Sequence, residues 1–393
     1  MNWCNCIVSR RYNLVSAGRV LCLILLLLTW SGPAGGVVSS ASKEPVTIAA
    51  IFAHTGLAAE SNAPIIEMIE LAVERVNLSG GVLGRPLRVL QLDNLSTPIG
   101  SRDTAIAAIN AGVTAVIGAH WSSHSLAIAP LLQKAGIPMI TPTSTNPRVT
   151  RGRNYVFRVC FLDSEQGRKT GRFAAVNLGA KSVAILSNID QEYSITLADY
   201  FEEAFVRFGG KVLFSGEYRG NATDFSTLIE QLLLHNPELI YIPGYTRDAG
   251  LFIKQARGMG LTSTIFGGDG WDDPSGIAGD ALNGTYKTVH YHPDYPGGEE
   301  KEFSWLYSLK DEKNSFSLTN PLAYDAVMVL RDAIERAGTS NASAVRDAMA
   351  ATVSFKGASG TLNFDANGDP VGRKVIVTRY NKGWSVVRTM SCQ

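Results

Sequence analysis

The sequence predicts an α/β protein built as two doubly wound parallel-sheet lobes with a ligand cleft between them. Three observations predict it. Strand-length runs such as Val46–Phe52 are apolar without alternation, save for Thr47, as expected of strands covered on both faces. Between these runs, apolar residues recur at helical spacing. The strand–helix series then restarts after about residue 160, which one open sheet does not explain.

Val46–Phe52 is the first strand. Ile65, Ile66, Ile69, Val73 and Val76 share a helical face, and Gly80-Gly81 ends that helix. Leu87–Leu92 follows as a strand, Ala105–Ala111 as a helix and Val113–Gly118 as a strand. Leu126–Lys134 is helical and Pro138–Thr141 a short strand. The second series has strands at Ser182–Leu186, Lys211–Phe214, Leu239–Ile242 and Thr264–Gly267. Its helices are Leu197–Phe208, Phe225–Leu234 and Ala249–Met259. The carboxy-terminal part differs. It reads as a strand at Tyr286–His292 and helices at Phe303–Leu309, Leu322–Ala337 and Ala344–Ala351. Leu362–Phe364 is then expected to pair with Lys374–Tyr380 around a turn at Ala366–Asp369.

The 393 residues carry 36 basic and 35 acidic side chains, which excludes a nucleic-acid binder held by bulk charge. Five cysteines exclude the disulfide framework of a small secreted domain. Residues 1–41 read as a secretory signal. Arg10, Arg11 and Arg19 come without an acid, Val20–Trp30 is apolar, and small residues lead to Ala41. The apolar core falls short of the roughly 20 residues that span a bilayer, so a retained anchor is the lesser reading. Cleavage near Ala41 leaves 352 residues with 33 basic and 35 acidic side chains, and two cysteines. Whether Cys160 and Cys392 pair is not decided by their separation.

In open α/β sheets the ligand lies beyond the carboxyl ends of the strands. The first lobe offers Ala119-His-Trp-Ser-Ser-His124 and Thr141-Pro-Thr-Ser-Thr-Asn146 there, rich in hydroxyls and in N–H groups at a helix start. Such a place suits a carboxylate. The second lobe offers Tyr193, Tyr245 and Asp269, a carboxylate among rings, which suits an ammonium. Anion on one lobe and cation on the other is the chemistry of an α-amino acid. The competing reading is that these residues cap helices and shape turns. Neither GxGxxG nor GxxxxGK[ST] follows a first strand, so no nucleotide cofactor is expected, and none of any other kind.

The chain resembles the periplasmic branched-chain amino acid binding proteins of ABC transporters, of the type I periplasmic binding fold, over residues 45–385. The motifs that carry the likeness are Gly80–Leu87, Val116-Ile-Gly118 with Ser122-Ser123, and Thr141–Pro147. Phe157-Arg158 with Asp163 and Gln166-Gly167, Asp224–Thr227 and Gly267–Trp271 complete them. The resemblance implies that Ser122 and Thr145 hold the ligand carboxylate, assisted by the backbone at Thr143 and Ser144. It implies that Tyr245 and Asp269 hold the ammonium, with Tyr193 at the cleft edge. It implies lobes of 42–158 plus 288–357 and of 159–287 plus 358–393, interleaved through three crossings. It also implies a periplasmic receptor, not an enzyme, that hands its ligand to a membrane permease. The first loop, Thr55–Ser61, lacks the aromatic ring often packed on the ligand, and Trp121 and Trp271 are the candidates to replace it. That departure leaves the side-chain specificity open between aliphatic amino acids, amides and urea. A sensor subunit of the same fold is the alternative output.

Three other features carry less. His290 and His292 alternate as metal ligands would on a strand, but a third ligand is missing, and they read as polar residues at a crossing. Asp365–Asp369 resembles the start of a calcium loop but has Pro370 where glycine is needed, and reads as a turn. His120 and His124 lie near Ser122 without an orienting acid, so no metal and no nucleophilic catalysis is expected.

Overall fold

The computed structural model describes residues 44–294 and 317–392. The expected export signal at 1–41 and the helix expected at Phe303–Leu309 lie outside the described residues. The first sheet holds β1 (Val46–Phe52), β2 (Leu87–Asp93), β3 (Val116–Gly118), β4 (Met139–Thr141) and β5 (Val156–Arg158). Its order is β2-β1-β3-β4-β5 and every pairing is parallel.

Strand β1 shows why its sequence is apolar without alternation. Ile48, Ala50 and Phe52 point to one face, where they pack with α1 (Ala59–Leu78) and α8 (Asn320–Ala337). Ala49 and Ile51 point to the other, toward α2 (Pro98–Asn110) and α3 (Ser122–Ala135). Side chains alternate along a strand, so a strand with helices on both faces must be apolar at every position.

The second sheet holds seven strands in the order β14-β13-β10-β9-β8-β6-β7. These are β6 (Ser182–Asn188), β7 (Lys211–Tyr218), β8 (Leu239–Tyr241), β9 (Thr264–Phe266), β10 (Tyr286–Val289), β13 (Lys374–Tyr380) and β14 (Trp384–Ser391). From β7 to β10 the neighbours are parallel. Val183, Ile185 and Tyr241 pack on one face with Phe201 and Phe205 of α5 (Glu192–Arg207). Ala184, Leu186 and Ile240 pack on the other with α6 (Ser226–His235) and α7 (Thr246–Gly258).

The carboxy-terminal pairing differs from the expectation. β13 pairs antiparallel with β10 and β14. Residues 360–362 form β12, which pairs with β11 (Phe355–Gly357). A single bridge, Phe364 to Pro370, closes the turn that the sequence suggested. β13 thus extends the second sheet by an antiparallel edge instead of folding back on Leu362–Phe364. The β11–β12 hairpin is held to α8, where Asp325 accepts the N–H groups of Ala358 (2.7 Å) and Ser359 (2.9 Å). The chain passes between the sheets after Arg158, after Val289 and between Leu362 and Lys374.

Two helices begin earlier than their apolar periodicity suggests. α3 starts at Ser122 and α5 at Glu192, so Ser122 and Tyr193 sit in first turns and not in loops. α4 (Asp163–Arg172) was not read from periodicity at all, because its composition is polar. It packs closely on α5 through glycine. A Cβ at Gly167 would stand 2.5 Å from Tyr200 Cβ, and one at Gly171 would stand 2.5 Å from the Phe201 carbonyl. Gly167→Ala gains about 1 kcal/mol of helix propensity. Overpacking costs about 1–3 kcal/mol, so the variant is expected to melt below the wild type. A thermal melt that is unchanged or raised would show that α4 and α5 can separate freely.

Candidate functional site

The first lobe brings its share of the site together at the start of α3. Ser122 is buried, and its Oγ accepts the Asn146 N–H at 3.2 Å, tying the 143–146 loop to the helix. Thr145 is buried beside it with its Oγ1 unpartnered. Thr143 Oγ1 meets His120 Nδ1 at 2.7 Å. Burial holds His120 and His124 down at about pH 4, so both imidazoles are neutral near pH 7.

The expected backbone donors are otherwise engaged. The Ser144 N–H donates to Thr141 Oγ1 at 3.0 Å, and the Thr143 N–H approaches the same oxygen at 3.4 Å. The Ser144 hydroxyl turns inward to the Ala119 carbonyl at 3.0 Å and to Ser125 Oγ at 2.7 Å. Thr141, at a strand end, captures these groups because a buried N–H must find an acceptor. Ser144 therefore serves the loop rather than the cleft. Carboxylate donors are left to Ser122, Thr145 and the first turn of α3, whose N–H groups lack helical partners.

On the second lobe Asp269 is the centre. Its Oδ1 accepts from Tyr193 OH at 2.8 Å and from Gln166 Nε2 at 2.6 Å, and its Oδ2 lies 2.8 Å from His290 Nε2. The Asp269 side chain is 7% exposed. Tyr193 OH also accepts the Gly270 N–H at 2.9 Å. The glycines on either side of Asp269 follow from this ring. A Cβ at Gly268 would collide with the Tyr193 hydroxyl, and one at Gly270 would stand 2.9 Å from Tyr193 Cε1.

Gln166 and His290 were not found from sequence. β10 ends at Val289, so His290 leaves the sheet and turns to Asp269, with its ring 3.8 Å from that of Phe161. The reading of His290 as a polar residue at a crossing therefore missed its contact with the candidate site. Among the described residues no group of three metal-ligating side chains forms.

The lobes touch across the cleft. Trp121 stacks on Tyr245 with centroids 4.0 Å apart, and Tyr245 lies 5.4 Å from Tyr193. Ser123 Oγ donates to Gln191 Oε1 at 2.9 Å, and Asn146 Nδ2 donates to Thr196 Oγ1 at 2.9 Å. Arg148 and Glu192 pair at 2.9 Å in solvent, a contact worth about 0–1 kcal/mol. Trp271 does not join this group. It is fully buried in the core between β9 and α7, with its ring against Gly267, so it does not replace the missing ring of the first loop.

Beneath the site, Arg158 is fully buried. Its Nε donates to Asp369 Oδ1 at 2.6 Å. Its Nη1 donates to the Ser144 carbonyl at 2.7 Å, and its Nη2 to the Asn146 carbonyl at 3.0 Å and to Thr150 Oγ1 at 2.8 Å. One guanidinium thus fixes the loop that presents Thr145. A cavity of about 460 Å³ opens elsewhere at the hinge, beside Phe161, Arg168 and Arg373. It is lined by none of the candidate residues. Arg373, one of its cations, already donates to the carbonyls of Val159 and Ser359 (2.8 Å each), so the site stays with the facing groups around Asp269. Cys160 and Cys392 are both buried free thiols, and burial pushes Cys392 up to about 12.

The sequence profile of the periplasmic binding proteins matches residues 45–384. The chain belongs to the periplasmic binding protein family. This periplasmic binding protein is 32% identical over 305 residues to the leucine-, isoleucine-, valine-, threonine- and alanine-binding protein of Pseudomonas aeruginosa. That match covers 76% of this chain and 80% of the relative. It is 37% identical to the leucine binding protein LivK of Thermotoga maritima, with a TM-score of 0.83 over 88% of this chain and 98% of that one. The branched-chain amino acid binding protein LivJ of Streptococcus pneumoniae, solved with isoleucine, is 26% identical. Its TM-score is 0.82, with 89% and 99% covered. The fold and family expected from the motifs are those found.

Proposed function

We propose that this protein captures an amino acid of the leucine, isoleucine and valine class and delivers it to an ABC transporter permease. The observation that carries this is the facing pair of half-sites. Asp269, oriented by Tyr193, Gln166 and His290, stands opposite the unpartnered Thr145 hydroxyl and the first turn of α3. A carboxylate facing helix N–H groups and a hydroxyl matches a zwitterion end to end. The names of the relatives supply the aliphatic side chain.

In this reading residues 1–41 are removed on export to the periplasm. The lobes, 42–158 plus 288–357 and 159–287 plus 358–393, close on the ligand by hinge motion. Ser122, Thr145, Tyr193, Tyr245 and Asp269 contact the ligand, and Trp121 closes the cleft above it. The closed lobes present the surface that a permease recognises. Turnover is not part of the reading. His120 bonds Thr143, His124 bonds Asn94 at 3.3 Å, and the Ser122 hydroxyl is tied to Asn146, so no base addresses that serine.

Calorimetry of the purified protein with leucine, isoleucine, valine, alanine, threonine and urea tests it. Saturable binding of at least one aliphatic amino acid is expected, with urea inert. A ligand at 100 times its Kd is expected to stabilise the fold by about 2.7 kcal/mol in a melt. Binding of urea with none of the amino acids would overturn the reading.

A further inference from the structure

Lys287 is the second residue of β10 and is fully buried. Among the described residues its ammonium donates to no carboxylate. One N–H goes to the Trp271 carbonyl at 2.7 Å and one to the Asp272 carbonyl, and the ring of Trp384 lies 4.4 Å away. Burial holds Lys287 down at about 8, although Asp272 and Asp273 stand near enough to favour its charge. A buried ammonium answered by carbonyls and a ring carries a cost that an apolar strand residue would avoid. What it secures is the segment from Gly267 to Asp272. Tyr286, the preceding residue of β10, accepts the Gly267 N–H on its carbonyl at 2.9 Å. Tyr286 and Lys287 thus pin both ends of that segment to one strand, and Asp269 stands in its middle. The first lobe uses the same device. There Arg158 at the end of β5 holds the carbonyls of Ser144 and Asn146, on either side of Thr145. β5 and β10 are the strands from which the chain first leaves each sheet for the other.

We propose that Lys287 is a positioning residue for Asp269: by clamping the carbonyls of Trp271 and Asp272 it sets the carboxylate for the ligand ammonium before the ligand arrives. The proposal rests on the amino-acid reading and adds to it a residue that stands behind the site and not in it. A loop already ordered has little conformational freedom to lose on binding, so the clamp is read out as affinity. It acts only through Asp269, so its effect vanishes where that carboxylate is gone.

The test is a double-mutant cycle read by calorimetry with leucine, on wild type, Lys287→Met, Asp269→Ala and the double variant. Lys287→Met is expected to bind leucine about 10-fold more weakly than wild type. In the Asp269→Ala background the same substitution is expected to change affinity by less than twofold. It is also expected to melt no lower than wild type without ligand, because it removes a buried charge from a site that methionine fills. Leucine affinity within twofold of wild type overturns the proposal, and a lowered melt beside it would leave Lys287 a merely structural role. An equal loss in both backgrounds also overturns it. If Lys287→Met does not fold, or Asp269→Ala binds too weakly to read, hydrogen exchange of the ligand-free wild type decides. Amides of 267–272 that exchange as slowly as those of β10 support the proposal, and exchange as fast as in an unstructured peptide of that sequence overturns it. A wild type that binds none of the aliphatic amino acids refutes the amino-acid reading itself, a result distinct from these.

Discussion

Asp269→Ala is expected to weaken amino-acid binding by about 2–5 kcal/mol, the range for removing one partner of a buried charge contact. The ligand ammonium would enter a cleft whose main anion is gone. The protein loses too. Tyr193, Gln166 and His290 all point to this carboxylate, and each donor stranded in the interior costs about 1–3 kcal/mol. Calorimetry reads the first loss and a urea melt the second. Unchanged affinity would remove Asp269 from the ligand site, whatever happened to stability. The size of the binding effect also separates Asp269 from its supports. Tyr193 and Gln166 orient the acid, whereas Asp269 supplies the charge.

Arg158→Ala is expected to destabilise the fold by about 3–5 kcal/mol, the cost of breaking a buried ion pair from one side. Asp369 would be left with the Thr150 hydroxyl at 2.8 Å and no cation. The Ser144 and Asn146 carbonyls would each lose a charged donor. Urea unfolding should show a lower midpoint at unchanged slope. Since these carbonyls flank Thr145, ligand affinity should fall with stability. A loss below about 1 kcal/mol would mean that water replaces the guanidinium without penalty.

The fold class was legible in the sequence because burial on two faces leaves a plain mark. β1 is apolar at every position but Thr47, and helices such as α1 repeat their apolar residues at helical spacing. The loops that end these strands were legible for the same reason, and they carried Thr145, Tyr245 and Asp269. The first turns of α3 and α5 were not, since helix ends that face a cleft are polar and break the apolar pattern. Trp271 misled through nearness. It lies two residues from Asp269, but the chain turns it into the core while Asp269 faces the cleft.

The sequence by itself determined that two α/β lobes face one another with hydroxyls on one and an acid on the other. Only the tertiary structure decided which groups meet. His290 lies 21 residues from Asp269 along the chain, Gln166 lies 103 away, and Asp369 lies 211 from Arg158. Apolar burial is periodic and local, so a chain announces it. A buried polar group is recognised by its partner, and a partner brought from a distant segment leaves no periodic trace. That is why Asp163 reads as an ordinary first-turn acid in the sequence, although the fold buries it fully.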